Sequence, residues 1–242
     1  MLTQYRLATN TLLLLDYDGT LTGFKTKPEL AIPSGDVLGL LSRLSQHSSL
    51  KVVITTGRSP ESIDALLGSL PIDIIAEHGT FIKQSGSWAP FITVDTSWKP
   101  LLLPILQAFV TKCDGAFIEE KTYSLAWHYR SSDPATGYIL SRKLISLLHD
   151  HLLQHDLRIL DGSKTVEILS TKAGKGKIVE TYIKTKPYDY IISIGDDKTD
   201  EELFHALADN PNALTVKVGY EETVAKTRLG NPDEVLRFLQ EL

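Results

Sequence analysis

The chain is short of the residues that mark several common protein classes. It has one cysteine, Cys113, in 242 residues. A single thiol excludes an internal disulfide framework and a cysteine zinc site. Its place at the end of an apolar helical stretch predicts a buried thiol. Positive charge is also scarce: 25 Lys and Arg face 30 Asp and Glu, a net charge of −5. That balance gives no nucleic-acid footprint, so any phosphorylated substrate must meet local positive charge. No apolar run approaches the roughly 18 residues of a membrane span, and the N-terminus lacks a leader layout. Repeats and low-complexity tracts are missing. The expectation is a soluble, cytoplasmic monomer without membrane or nucleic-acid partners. Apolar residues make up 42%, enough for a proper core.

The chain is organised around Leu12-Leu13-Leu14-Leu15-Asp16-Tyr17-Asp18-Gly19-Thr20-Leu21. Four leucines predict a buried strand, too short for a helix. Asp16 and Asp18 stand two apart, so in extended chain they leave on the same side. Two such acids are costly without a positive partner, and a divalent metal bound by oxygens answers that need. An ordinary Asp- and Gly-rich turn does not require both acids to follow a buried run.

Ser34 caps a helix carrying Val37, Leu40, Leu41 and Leu44. A second strand, 50–54, ends in Thr55-Thr56-Gly57-Arg58. Ser59 and Pro60 start the next helix. A third strand, 72–76, runs into Glu77-His78-Gly79. This alternation predicts a parallel sheet covered on both faces, with ligands outside its carboxyl ends. A hairpin follows over 81–94, then a linker at Trp98-Lys99-Pro100. Helix, two strands, helix, two strands make an α+β module. In it Tyr123, Leu125, Trp127 and Tyr129 alternate with Ser124, Ala126, His128 and Arg130. The first pattern resumes at Gly174-Lys175-Gly176 and continues through a strand ending in Gly195-Asp196-Asp197-Lys198-Thr199-Asp200-Glu201. A helix is expected from Glu202. The organisation expected is a split core, 1–97 and 172–242, interrupted by the module 98–171.

Asp16 with Asp18, Thr56, Lys175, and Asp196 with Asp197 and Asp200 all reach one rim. Carboxylates hold Mg²⁺; metal, lysine and hydroxyl hold a phosphoryl group; a carboxylate can attack phosphorus while another moves the proton. The chemistry expected is phosphoryl transfer by positioning and charge neutralisation. The P-loop spacing, the calcium-hand loop and the H-E-x-x-H pattern are all missing. His149, His151 and His155 read as a solvated helix face.

These four segments resemble, in order, the motifs of the haloacid dehalogenase (HAD) superfamily of phosphatases. The resemblance implies an α/β fold: a Rossmann-like parallel-sheet core with an inserted α+β cap domain. It also implies Asp16 as nucleophile and Asp18 as general acid/base, with Thr56 and Lys175 holding the phosphoryl group. Mg²⁺ would be held by Asp16, the Asp18 carbonyl and Asp196, while Asp197 and Asp200 support the metal or orient Lys175. The last motif, Thr56-Gly57-Arg58, His78-Gly79 and the run Glu119 to Arg130 are similar to trehalose-6-phosphate phosphatases. That family implies sugar binding by Glu119, Lys121, Arg130 and Glu167, and places Arg58 and His78 near substrate. The function expected is Mg²⁺-dependent hydrolysis of trehalose 6-phosphate through an aspartyl phosphate, with a cap that closes over the sugar.

The residues themselves leave alternatives. Glu119, Lys121 and Arg130 could form a cross-strand salt-bridge ladder. Arg58 could bind phosphate or tie down the loop around Asp16, and His128 could pack or touch substrate. Sucrose- or mannosyl-phosphate hydrolysis, transfer to a sugar, and a catalytically silent phosphosugar-binding module are the other functions considered.

Overall fold

A computed structural model describes residues 4–185 and 187–242. The chain divides into two compact units. One runs up to Phe91 and resumes at Gly174–Leu242; the other is Ile92–Ala173.

Strand β1 (Thr11–Asp16) is buried along its whole length. Its leucines serve two cores: Leu13 and Leu15 join one apolar cluster, Leu12 and Leu14 another. A strand covered on both faces needs consecutive leucines rather than alternation. Helix α1 (Gly35–Ser45) is capped by Ser34, and β2 (Leu50–Thr55) leads to α2 (Pro60–Leu67), capped by Ser59 with Pro60 in its first turn. β3 (Asp73–Ala76) is followed by the hairpin β4 (Phe81–Gln84) and β5 (Ser87–Pro90), so the second strand of that hairpin is shorter than expected.

In the inserted unit, α3 (Lys99–Val110) begins at the stretch expected to be a linker. Trp98 is buried in one apolar cluster with Leu102 and Trp127, its Nε1 donates to the Asp95 carbonyl, and 92–98 fall with this unit. The earlier start also puts Pro104 inside the helix, beyond its first turn. β6 (Phe117–Glu120), β7 (Ser124–His128), α4 (Pro134–Gln154), β8 (Leu157–Gly162) and β9 (Thr165–Ser170) complete it. The sheet runs β6-β7-β9-β8, antiparallel throughout. One face, with Leu125, Trp127, Val166 and Ile168, packs on α3 and α4 in a core that also buries Cys113. The α4 stripe is Gly137, Ser141, Leu144 and Leu148, and Leu147 is exposed. The opposite face of the sheet carries Glu119, Ala126 and Glu167 side by side across three strands.

The core resumes with α5 (Lys175–Thr185), β10 (Tyr190–Gly195), α6 (Lys198–Ala206), β11 (Ala213–Val218), β12 (Thr227–Leu229) and α7 (Pro232–Gln240). Helix α6 starts four residues before the expected Glu202, because Asp197 and Asp200 form a reciprocal capping box. The eight-stranded sheet has the order β12-β11-β10-β1-β2-β3-β4-β5, with its last two pairings antiparallel and the others parallel. β1 lies between β10 and β2, where the strand order reverses, the position at which open α/β sheets bind ligands. Among the described residues, no helix is long and apolar enough to cross a membrane.

Candidate active site

Three adjacent parallel strands deliver the core set. Asp16 ends β1 opposite Thr55, Thr56 follows β2, and Asp196 follows β10. Lys175, the first residue of α5, is buried among them. Its Nζ donates to Asp16 Oδ1 at 2.8 Å and to Asp200 Oδ1 at 2.9 Å. Burial opposes its charge, but Asp16 and Asp200 win and hold its pKa well above the ordinary lysine value. Asp200 Oδ2 accepts from the backbone N–H of Asp196 (3.0 Å) and Asp197 (3.2 Å), so both its oxygens are engaged. Asp197 Oδ1 caps α6 through Thr199 and Asp200.

Asp16 and Asp196 are different. Asp16 Oδ2 and Asp196 Oδ1 are buried and have no hydrogen-bond partner. Oxygens from Asp16, Asp196 and Asp200 lie within 4.8 Å of one another, the one such group among the described residues. Burial pushes Asp16 well above the usual carboxylate range; Lys175 pulls it back, and Asp196 and Asp197 add to the rise. Burial, then Asp197 and Asp200, push Asp196 up to about 8. Holding all four carboxyl groups ionised takes more positive charge than Lys175 supplies, and two unpartnered oxygens face the shortfall. An oxygen-seeking divalent cation fits this donor set. Gly19 is required here: its φ is +92°, and a Cβ would lie 2.2 Å from Asp196 Oδ2.

Asp18 does not extend the strand, which ends at Asp16. The same-side expectation rested on extended chain and does not reach it. Its carboxylate is gripped by the Arg58 fork, Nε to Oδ2 at 2.7 Å and Nη2 to Oδ1 at 2.8 Å. Arg58 also donates to Ser62 Oγ and the Pro28 carbonyl, and lies over the Tyr17 ring. Of the two roles open for Arg58, tying down this loop is the one these contacts support. Thr56 Oγ1 accepts from the Arg58 N–H at 3.1 Å. His78 is buried at φ 53°, between Glu77 and Gly79, which also have positive φ. Its N–H donates to the Thr56 carbonyl and its ring covers Gly57, where a Cβ would come within 2.5 Å. Such backbone is held only where its surroundings over-determine it.

The second set lies in the inserted unit. Lys121 Nζ donates to Glu167 Oε1 at 2.8 Å, and Ser124 Oγ donates to the same oxygen at 2.5 Å. Glu119 Oε2 meets His128 Nε2 at 2.8 Å, while His128 Nδ1 meets Thr165 Oγ1 at 3.1 Å. Burial works against the Glu119 charge, but His128 and Lys121 outweigh it and lower its pKa. Phe117 stacks on the His128 ring at 4.7 Å. Arg130 donates to the carbonyl and hydroxyl of Ser163 in the β8–β9 turn. The ladder reading therefore describes two pairs, and Arg130 has a turn as its partner.

Residues 14–233 match the family model described as trehalose-phosphatase. The chain belongs to the trehalose-phosphatase family. It is 38% identical over 232 residues, 96% of its length, to a bifunctional trehalose-6-phosphate synthase/phosphatase of Thermoproteus tenax, of which it covers 32%. The chain thus spans about a third of the length of the curated relatives it matches. It is similar to the C-terminal domain of the trehalose-6-phosphate phosphatase of C. albicans: TM-score 0.93, 30% identity, 99% of this chain and 94% of that one. A haloacid dehalogenase-like hydrolase from Bacteroides thetaiotaomicron shares the fold, with TM-score 0.70 at 13% identity over 96% and 99% of the two chains. The HAD-type α/β architecture expected from the motifs is therefore present.

Two side chains that touch these residues escaped the sequence reading as candidates. Ser124 shares strand parity with Ala126 and His128, which would have marked it as facing Glu167. Lys217 stands in a strand of otherwise uncharged residues, and its Nζ donates to the Asp196 carbonyl. A lysine inside a buried strand was the available signal.

Proposed function

We propose that this chain hydrolyses trehalose 6-phosphate to trehalose and phosphate through an aspartyl phosphate on Asp16. The observation that carries the reading is the state of Asp16: one oxygen pinned by Lys175, the other buried and open. Asp16, Asp196 and the Asp18 carbonyl would hold Mg²⁺, which supplies charge neutralisation for the phosphoryl oxygens. An Asp16 oxygen attacks phosphorus, and the sugar oxygen departs with a proton from Asp18, which enters this step in its acid form and is returned to it by the second. Water then attacks the aspartyl phosphate, Asp18 takes its proton, and the Asp16 carboxylate is restored. To do this Asp18 exchanges a bond to Arg58 for one to the leaving oxygen. Lys175 and the Thr56 hydroxyl hold the phosphoryl group; Thr56 accepts from Arg58 and so keeps its own proton to donate. Asp200 keeps Lys175 in place, and Asp197 holds the helix start.

Ile92–Ala173 is read as the cap that selects the sugar. Glu119, Lys121, Glu167 and Arg130 are charged hydrogen-bonding groups of the kind that read hydroxyls, and a site built for them rejects analogues lacking them. The test is phosphate release from a panel of trehalose, sucrose and mannosyl phosphates with Mg²⁺. Trehalose 6-phosphate should give the highest kcat/KM, and Asp16→Asn should lower kcat by about 10⁴-fold or more with the fold intact. Near-normal release by that variant would reject Asp16 as nucleophile.

A further inference from the structure

The core unit buries a second lysine to which this mechanism gives no task. Lys217 lies near the carboxyl end of β11, paired in register with Gly195 of β10, and is 2% exposed. Its Nζ donates to the backbone carbonyl of Asp196. It also pairs with Glu221, whose Oε2 lies 3.8 Å away on a largely exposed side chain. An ammonium is costly to bury unless hydrogen bonds compensate it, and an apolar side chain would fill the strand position without that cost. Lys175 addresses carboxylates; Lys217 addresses a main-chain oxygen. The Asp196 peptide is thereby held from both directions, its N–H by Asp200 Oδ2 and its carbonyl by Lys217. With the backbone fixed, the Asp196 carboxylate rests against Gly19 and Oδ1 stays unpartnered.

We propose that Lys217 is a positioning residue for the divalent-cation site: by holding the Asp196 carbonyl, it keeps Asp196 Oδ1 turned out for the metal. The inference rests on the reading of Asp196 as a metal ligand. A role through charge alone has the opposite sign, because a nearby ammonium repels a divalent cation and its removal tightens metal binding. Groups that orient metal ligands characteristically contribute 10- to 100-fold in metal affinity.

The test is calorimetric titration of the metal-free full chain with MgCl₂, alongside the thermal midpoint of each metal-free variant. Lys217→Met stays unbranched, ends one bond short of the lysine nitrogen and removes the donor; its Kd for Mg²⁺ should rise about tenfold, with kcat largely recovered at saturating Mg²⁺. Lys217→Arg keeps a donor and should stay near the parent. Asp196→Asn should lose Mg²⁺ binding. A folded Lys217→Met that binds Mg²⁺ as tightly as the parent, or more tightly, overturns the inference while Asp196→Asn still loses the metal. Parent-like binding by Asp196→Asn overturns the ligand reading and the inference with it. If Lys217→Met fails to fold, Lys217→Gln is read the same way, since its side chain is one bond shorter and withdraws the donor.

Discussion

Each unit of this protein buries a lysine among carboxylates, and the two arrangements differ in how far they are satisfied. In the core, Lys175 faces Asp16, Asp196, Asp197 and Asp200, and two carboxylate oxygens have no partner. In the inserted unit, Lys121 pairs with Glu167 and Glu119 with His128, and none of these four leaves a buried polar atom unpartnered. Both clusters set a buried lysine against carboxylates. On the proposed reading, one is completed by a further cation; the other is already balanced, and its polar groups would trade partners for sugar hydroxyls. Binding chemistry is compatible with a self-satisfied network, whereas phosphoryl chemistry needs charge left open for what arrives.

The contrast breaks most visibly at Lys175. Removing one member of a buried ion pair leaves an uncompensated charge and costs about 3–5 kcal/mol. Both of its pairs are deeply buried, with side-chain exposures of 1% and 7% for one and 1% and 0% for the other. Lys175→Met should therefore lose turnover and lower the metal-free melting temperature by on the order of 10 °C. If the core is short of positive charge, Mg²⁺ should raise the variant's melting temperature by more than it raises the parent's. Equal shifts would mean that the metal and Lys175 do not answer the same carboxylates.

Glu167→Gln tests the balanced cluster. The amide keeps the shape and loses a charged acceptor that Lys121 and Ser124 share. Hydrogen bonds to charged groups contribute about 1.5–3 kcal/mol, so kcat/KM for trehalose 6-phosphate should fall about 10- to 100-fold. A small aryl phosphate, which has no sugar to read, should be hydrolysed as by the parent. An equal loss on both substrates would show that Glu167 supports the fold and not the choice of sugar.

Much of this layout was legible because local rules and tertiary burial agree. Leu12–Leu15 could only be a strand covered on both faces, and the caps at Ser34, Ser59 and Asn231 lie where local sequence demands. Strand parity sets Glu167 on the face opposite Val166 and Ile168, which lie in the apolar core. What was not legible depends on contacts between distant segments. Arg58 lies 40 residues from Asp18, and nothing local tells that the two form a fork. Trp98 looks like linker until its burial against the inserted unit is seen. Leu147 fits the apolar stripe of α4 by spacing, but the buried arc of that helix runs through Gly137 and Ser141 instead.

Asp197 separates two kinds of acid within the core cluster and gives the smallest expected effect. It stands beside Asp196, and residue type alone makes the two equivalent metal donors. The structure assigns them different work. Asp197 Oδ1 accepts from the N–H groups of Thr199 and Asp200, as an N-cap does, and also from the Thr199 hydroxyl. Burial opposes its charge, but Lys175 and the Thr199 hydrogen bond prevail and lower its pKa to about 2. A carboxylate already spent on a helix start should matter mainly to that helix. Asp197→Ala should cost about 1 kcal/mol. Asp197→Ser, which restores a capping oxygen without the charge, should recover most of it. Neither should weaken Mg²⁺ binding as Asp196→Asn is expected to. If Asp197→Ser restored the melting temperature yet bound Mg²⁺ as poorly as Asp196→Asn, then Asp197 would belong with the metal ligands, and the core would have a third acid reserved for the cation.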